Sequence, residues 1–77
     1  LDEPTFGLAP AVVDVIAHVI GEIRDSGVDV LLVEQNAEMA LEVADYGYVM
    51  EQGRVVLAAP AGELAVNPEV QRAYLGI

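Results

Sequence analysis

An amphipathic stretch that stops at a glycine and runs straight into an almost unbroken apolar segment constrains this chain most. After Pro10, the apolar residues Val12, Val13, Ile16, Val19, Ile20 and Ile23 recur at three- and four-residue steps, with Asp14, His18, Glu22 and Asp25 on the other side. That spacing predicts a helix over 11–26, ended by Gly27. Residues 28–34, VDVLLVE, follow at once. Their strand length and nearly continuous apolarity predict a buried parallel strand covered on both faces. Alternating helix and strand of this kind point to an α/β sheet.

The rest of the chain extends this order. Asn36 is placed to cap a short helix through residue 44, with Glu38 near its N-terminus and Met39, Leu41 and Val43 supplying apolar contacts. Residues 46–51 and 54–58 flank Gln52-Gly53 and predict a hairpin whose turn uses positive φ at Gly53. Pro60 and Asn67-Pro68 each mark a helix start, giving a short turn around Glu63-Leu64 and a last helix over 68–75 with Gly76 as its stop. Upstream, Leu1-Asp2-Glu3 reads as the end of a strand. With no initiator Met, the chain is expected to be the C-terminal part of something longer.

Composition narrows the partners. Three Arg, no Lys and 13 acidic residues leave a net charge of −10. Binding to nucleic acid or to an anionic membrane needs clustered positive charge and is not expected. Cysteine is absent, so no disulfide or thiolate metal site can form. The longest apolar run is short and carries Asp29, so nothing is expected to insert into a bilayer. At 77 residues and 55% hydrophobic content the chain has room for one small core.

The candidate chemistry sits in LDEPTFGLAP, at the start. Asp2 and Glu3 lie where a parallel strand delivers its C-terminal end, the edge at which open α/β sheets place ligands. Successive strand side chains point opposite ways, so one carboxylate can hold a hydrated Mg²⁺ while the other faces an attacking water. An acidic pair at a strand end is, however, more often a solvated turn. The single histidine, His18, lies one turn from Asp14 and one from Glu22 and reads as a solvated helix-face partner. Tyr46, Tyr48 and Tyr74 read as packing or rim aromatics.

LDEPTFGLAP, then LLVEQN, then ADYGYVMEQGRVV together resemble the C-terminal part of ABC-type ATPase domains, over almost the whole chain. GLAP, VEQN and the ending NPEVQRAYLG make the resemblance strongest to the ATP-binding subunits of branched-chain amino acid importers. The fold implied is the C-terminal part of a P-loop NTPase, with parallel strands, flanking helices, a β-hairpin and C-terminal helices. By the same resemblance Asp2 matches the Walker B residue that positions Mg²⁺ through water, and Glu3 the carboxylate that orients or deprotonates the attacking water. Thr5, Phe6, Gly7, Leu8, Ala9 and Pro10 match the D-loop, which in the family crosses the dimer interface. Many relatives carry Asp where this chain has Ala9, so a side-chain contact made there is lost. Gln35 stands at the switch position, where most of the family has His. An amide can donate to the γ-phosphate but cannot titrate near neutral pH.

The resemblance further implies ATP and Mg²⁺ as cofactors, a second ATPase subunit and transmembrane permease subunits as partners, and a cytoplasmic location on the inner face of the cell membrane. The Walker A loop with its Lys, the Q-loop and the signature motif have no counterpart in these 77 residues. By itself the chain is therefore expected to be inactive, and its unpaired strand edges to make it self-associate. Two other readings stay open at this point. One is a non-transport ABC ATPase of DNA repair or translation; the other is a non-catalytic acidic α/β interaction module.

Overall fold

The computed structural model describes residues 1–76. Helix α1 (Pro10–Asp25) is followed by an extended segment, helix α2 (Ala37–Val43), strands β1 (Tyr46–Glu51) and β2 (Arg54–Pro60), and helices α3 (Ala61–Val66) and α4 (Pro68–Val70). A π-helical turn, Gln71–Leu75, ends the described chain.

Pro10 opens α1, one residue before the predicted start, because its fixed φ and missing N–H suit a first helical position. Ser26 and Gly27 close it, Gly27 taking φ 92°. The helix packs on α2 through Ala17, Ile20, Met39 and Val43, with Val13, Ile16, Val30 and Leu32 around them. Arg24 ties the two helices by donating from Nη1 to the Val43 carbonyl at 2.7 Å, which satisfies one of the carbonyls left open at the end of α2. The predicted apolar stripe is wider than the covered one. Val12, Val19 and Ile23 belong to it by spacing but remain exposed, and Val15 extends this open face.

The largest departure concerns the predicted buried parallel strand. Residues 28–34 are extended, but their only ladder contact among the described residues is one parallel bridge, Asp2 with Val33. Beyond the bridge the partner segment cannot continue the ladder: Glu3 turns the backbone out of the strand with φ 46°, and the ring nitrogen of Pro4 cannot donate. Nor is the segment covered on both faces. Val30 and Leu32 turn toward the core, whereas Leu31 (80% exposed) and Val33 do not. The named sheet is instead a two-stranded antiparallel one, β1 with β2.

That hairpin follows its turn sequence. Gln52 (φ 52°) and Gly53 (φ 76°) both take positive φ, as a type I′ turn requires. Val49 pairs with Leu57 and Met50 with Val55, so Val56 is the extra residue of a bulge. β2 runs two residues past its predicted end, to Pro60, which then becomes the N-cap of α3. Below the hairpin, Ala61, Leu64 and Val70 are buried. Asn36 caps as predicted, its Oδ1 accepting from Met39 N at 3.1 Å, and Asn67, at the predicted start of the last helix, caps it with Oδ1 accepting from Glu69 N at 2.9 Å. Gly76 takes the left-handed conformation at φ 70°.

Candidate functional site

The strand end and the second extended segment meet through three backbone hydrogen bonds. Leu1 N donates to Leu31 O at 2.6 Å, Val33 N to Leu1 O at 2.7 Å and Glu3 N to Val33 O at 2.5 Å. Two parallel segments so paired deliver their C-terminal ends to one edge. Asp2 and Glu3 arrive there on one segment, and Gln35 follows two residues after Val33 on the other. Asp2 and Gln35 are exposed and Glu3 is half-buried.

Glu3 is also strained. Only Glu3 and Gln52 adopt positive φ among the described non-glycine residues, and the turn type accounts for Gln52. For an L-residue this region costs about 1–2 kcal/mol. Glu3 is kept there by its N–H on Val33 and by its own carbonyl, which accepts from Phe6 N at 3.2 Å. Strain of this sort gathers at functional positions and persists where the surroundings over-determine it.

The loop from Pro4 to Ala9 is built from two overlapping turns. Glu3 O accepts from Phe6 N, and Thr5 O accepts from Leu8 N at 3.1 Å. The second turn places Gly7 at a position needing positive φ, and Gly7 supplies φ 75°. Thr5 is buried at the base of the loop, whereas Phe6 (77% exposed), Gly7 and Leu8 form an open tip. Pro10, which ends this stretch, is also the first residue of α1.

One residue at this edge escaped the sequence reading. Glu34, half-buried beside Gln35, accepts from Thr5 N with Oε2 at 3.3 Å and from Asn36 N with Oε1 at 3.2 Å. An acidic residue closing an apolar run was the available signal.

Among the described residues no group of three or more His, Cys, Asp or Glu is placed to hold a metal ion. Mg²⁺ keeps several of its waters and takes one or two carboxylates along with substrate phosphates. The exposed carboxylate of Asp2 therefore has the chemistry to contact a hydrated cation, not to form an all-protein cage. An open groove between α1 and α2 is lined by Asp14, Glu22, Asp25 and Glu42 against a single Arg24, a predominantly acidic surface that disfavours polyphosphate. His18 lies there, exposed and paired with Glu22 at 2.6 Å, the helix-face partner its spacing predicts. No described helix is long and apolar enough to cross a membrane.

No family model matches the chain. Curated proteins do. It is 50% identical over 76 residues, 99% of its length, to the high-affinity branched-chain amino acid transport ATP-binding protein BraG of Pseudomonas aeruginosa. It is 38% identical over its whole length to a probable branched-chain amino acid transport ATP-binding protein, LivF, of Archaeoglobus fulgidus. The lipopolysaccharide export system ATP-binding protein LptB of Escherichia coli is 36% identical over 99% of the chain. The chain spans about a third of the length of these relatives. Likeness of this strength from end to end makes the chain homologous to ABC transporter ATP-binding proteins, those of branched-chain amino acid transport among them.

Proposed function

We propose that these residues are the C-terminal portion of the ATP-hydrolysing subunit of an ABC importer for branched-chain amino acids. The observation that carries the reading is the 50% identity to a branched-chain amino acid transport ATP-binding protein over 99% of the chain, and the Asp2–Val33 bridge supports it by pairing the segment of Asp2 and Glu3 with the one that leads to Gln35. In this reading Asp2 holds Mg²⁺ through water and Glu3 orients or deprotonates the water that attacks ATP. Gln35 donates to the γ-phosphate and stays neutral across the working pH range. The triphosphate itself is held by a Gly-rich loop and Lys that this chain does not contain, so the 77 residues alone do not hydrolyse ATP.

The exposed tip at Phe6 to Leu8 faces a second ATPase subunit in this reading, with Gly7 permitting close backbone approach. The subunit works in the cytoplasm against the inner face of transmembrane permease subunits. The 36% identity to a lipopolysaccharide export protein favours a second reading for the cargo, against 50% for an amino acid one. Transport decides between them. The full-length subunit, reconstituted with its permease, is expected to drive ATP-dependent uptake of leucine, isoleucine or valine. ATP hydrolysis without such uptake would reject the importer assignment and retain the ATPase.

A further inference from the structure

We infer that Glu34 is a positioning residue that locks the two catalytic loops against each other, an inference that rests on the ATPase reading above. Its two carboxylate oxygens take different loops: Oε2 accepts from Thr5 N and Oε1 from Asn36 N. Thr5 is the buried base of the loop that leads from Glu3 into α1. Asn36 follows Gln35 and caps α2 through Met39 N. One side chain thus fixes the exit of the segment that carries Glu3 and the exit of the segment that carries Gln35. Lateral pairing alone ends at Val33, the last bridged residue, and leaves Gln35 exposed on a bend. The clamp continues the connection past the point where the ladder stops.

The chemistry of the clamp demands a carboxylate. Both partners are N–H donors, so the residue between them must accept on both terminal atoms. Glutamine has the same shape but presents an NH₂ to one of them, which breaks one bond and sets donor against donor. Aspartate keeps both acceptors and shortens the reach. The variants therefore separate charge and acceptor count from simple packing.

In the full-length ATPase, E34Q is expected to lower kcat for MgATP about tenfold with KM changed by less than about twofold, since misplacement of reacting groups costs rate rather than ground-state binding. E34D is expected to retain more activity than E34Q. Combined with Gln35→Ala, E34Q should slow turnover by much less than its own factor, because both act through the same loop. Unchanged kcat in E34Q, or a loss that E34D does not relieve and that simply follows the folded fraction, overturns the positioning role. Absence of hydrolysis in the unsubstituted protein overturns the ATPase reading as well, so the two failures are distinct.

Discussion

Asp2 is bridged in parallel to Val33, and that register sets Gln35 two residues beyond the point where the segment carrying Glu3 is anchored. Glu3 N on Val33 O reinforces the same register. On the proposed reading, the Gln35 amide contributes a hydrogen bond and no proton. In the complete protein, Gln35→Ala should slow ATP turnover about tenfold while leaving most nucleotide affinity, the size expected for one hydrogen bond to a charged group. Nucleotide titration beside steady-state turnover measures both; unchanged turnover would remove Gln35 from the site.

Gly47 answers to packing rather than to backbone freedom. A Cβ built there would come 2.5 Å from Leu64 Cδ1, and Leu64 is among the most deeply buried side chains. Gly47→Ala should therefore destabilise the fold by about 1–3 kcal/mol. Thermal or denaturant unfolding checks this. In the double variant with Leu64→Ala the two costs should fall short of their sum, because removing Cδ1 relieves the clash. Strict additivity would contradict the close approach.

The helices, their caps and the hairpin were legible because each is specified locally: Asn36 and Asn67 as caps, Gln52-Gly53 as a turn, Pro10 and Gly27 as the limits of α1. The segment 28–34 was less legible. Its apolarity speaks for covered faces, but a ladder is a property of two segments, and here the neighbour leaves the pairing at Glu3 and Pro4. Val12, Val19 and Ile23 fit the apolar stripe by period yet stand in solvent for the same reason, since period cannot report what is available to cover them. Asp2, Glu3 and Gln35 were nominated through motif resemblance, and the bridge sets them at the ends of two paired segments. Glu34 was not: its place at the end of an apolar run marks it, but its two partners are backbone N–H groups on separate loops, which the side-chain pattern does not name.

Tyr74 couples the last turn to the hairpin, its hydroxyl donating to Glu51 Oε2 at 2.7 Å. That hydrogen bond first, then loss of solvent, then the Glu51 charge hold the phenol above its ordinary value of 10.0. A group whose pKa is raised on folding adds stability below its unfolded value and loses it as pH climbs through the folded one. The link should thus be intact at neutral pH and fail only in the alkaline range above about 10. NMR titration of the Tyr74 ring should show this, with Glu51→Gln moving the midpoint down. A midpoint unaffected by Glu51→Gln would refute the coupling.

The apolar surface left open has its own consequence. Val12, Val15 and Val19 on α1, with Leu31 and Val33 beside the single bridge, are all at least 45% exposed. Patches and edges of this kind draw in other chains. The 77-residue chain by itself should self-associate in sedimentation, increasingly so with concentration. A monodisperse monomer with a sharp unfolding transition would show that this face tolerates water.

The most direct measurement is the turnover of MgATP by the full-length subunit and by its Glu3→Gln variant. Glutamine keeps the shape of Glu3 and removes its capacity as a base. Turnover should fall by about 10²–10⁴-fold, the range for loss of a general base, while ATP still binds. A Glu3→Gln protein that hydrolyses ATP at the unsubstituted rate would show that the carboxylate at this strand end is not catalytic.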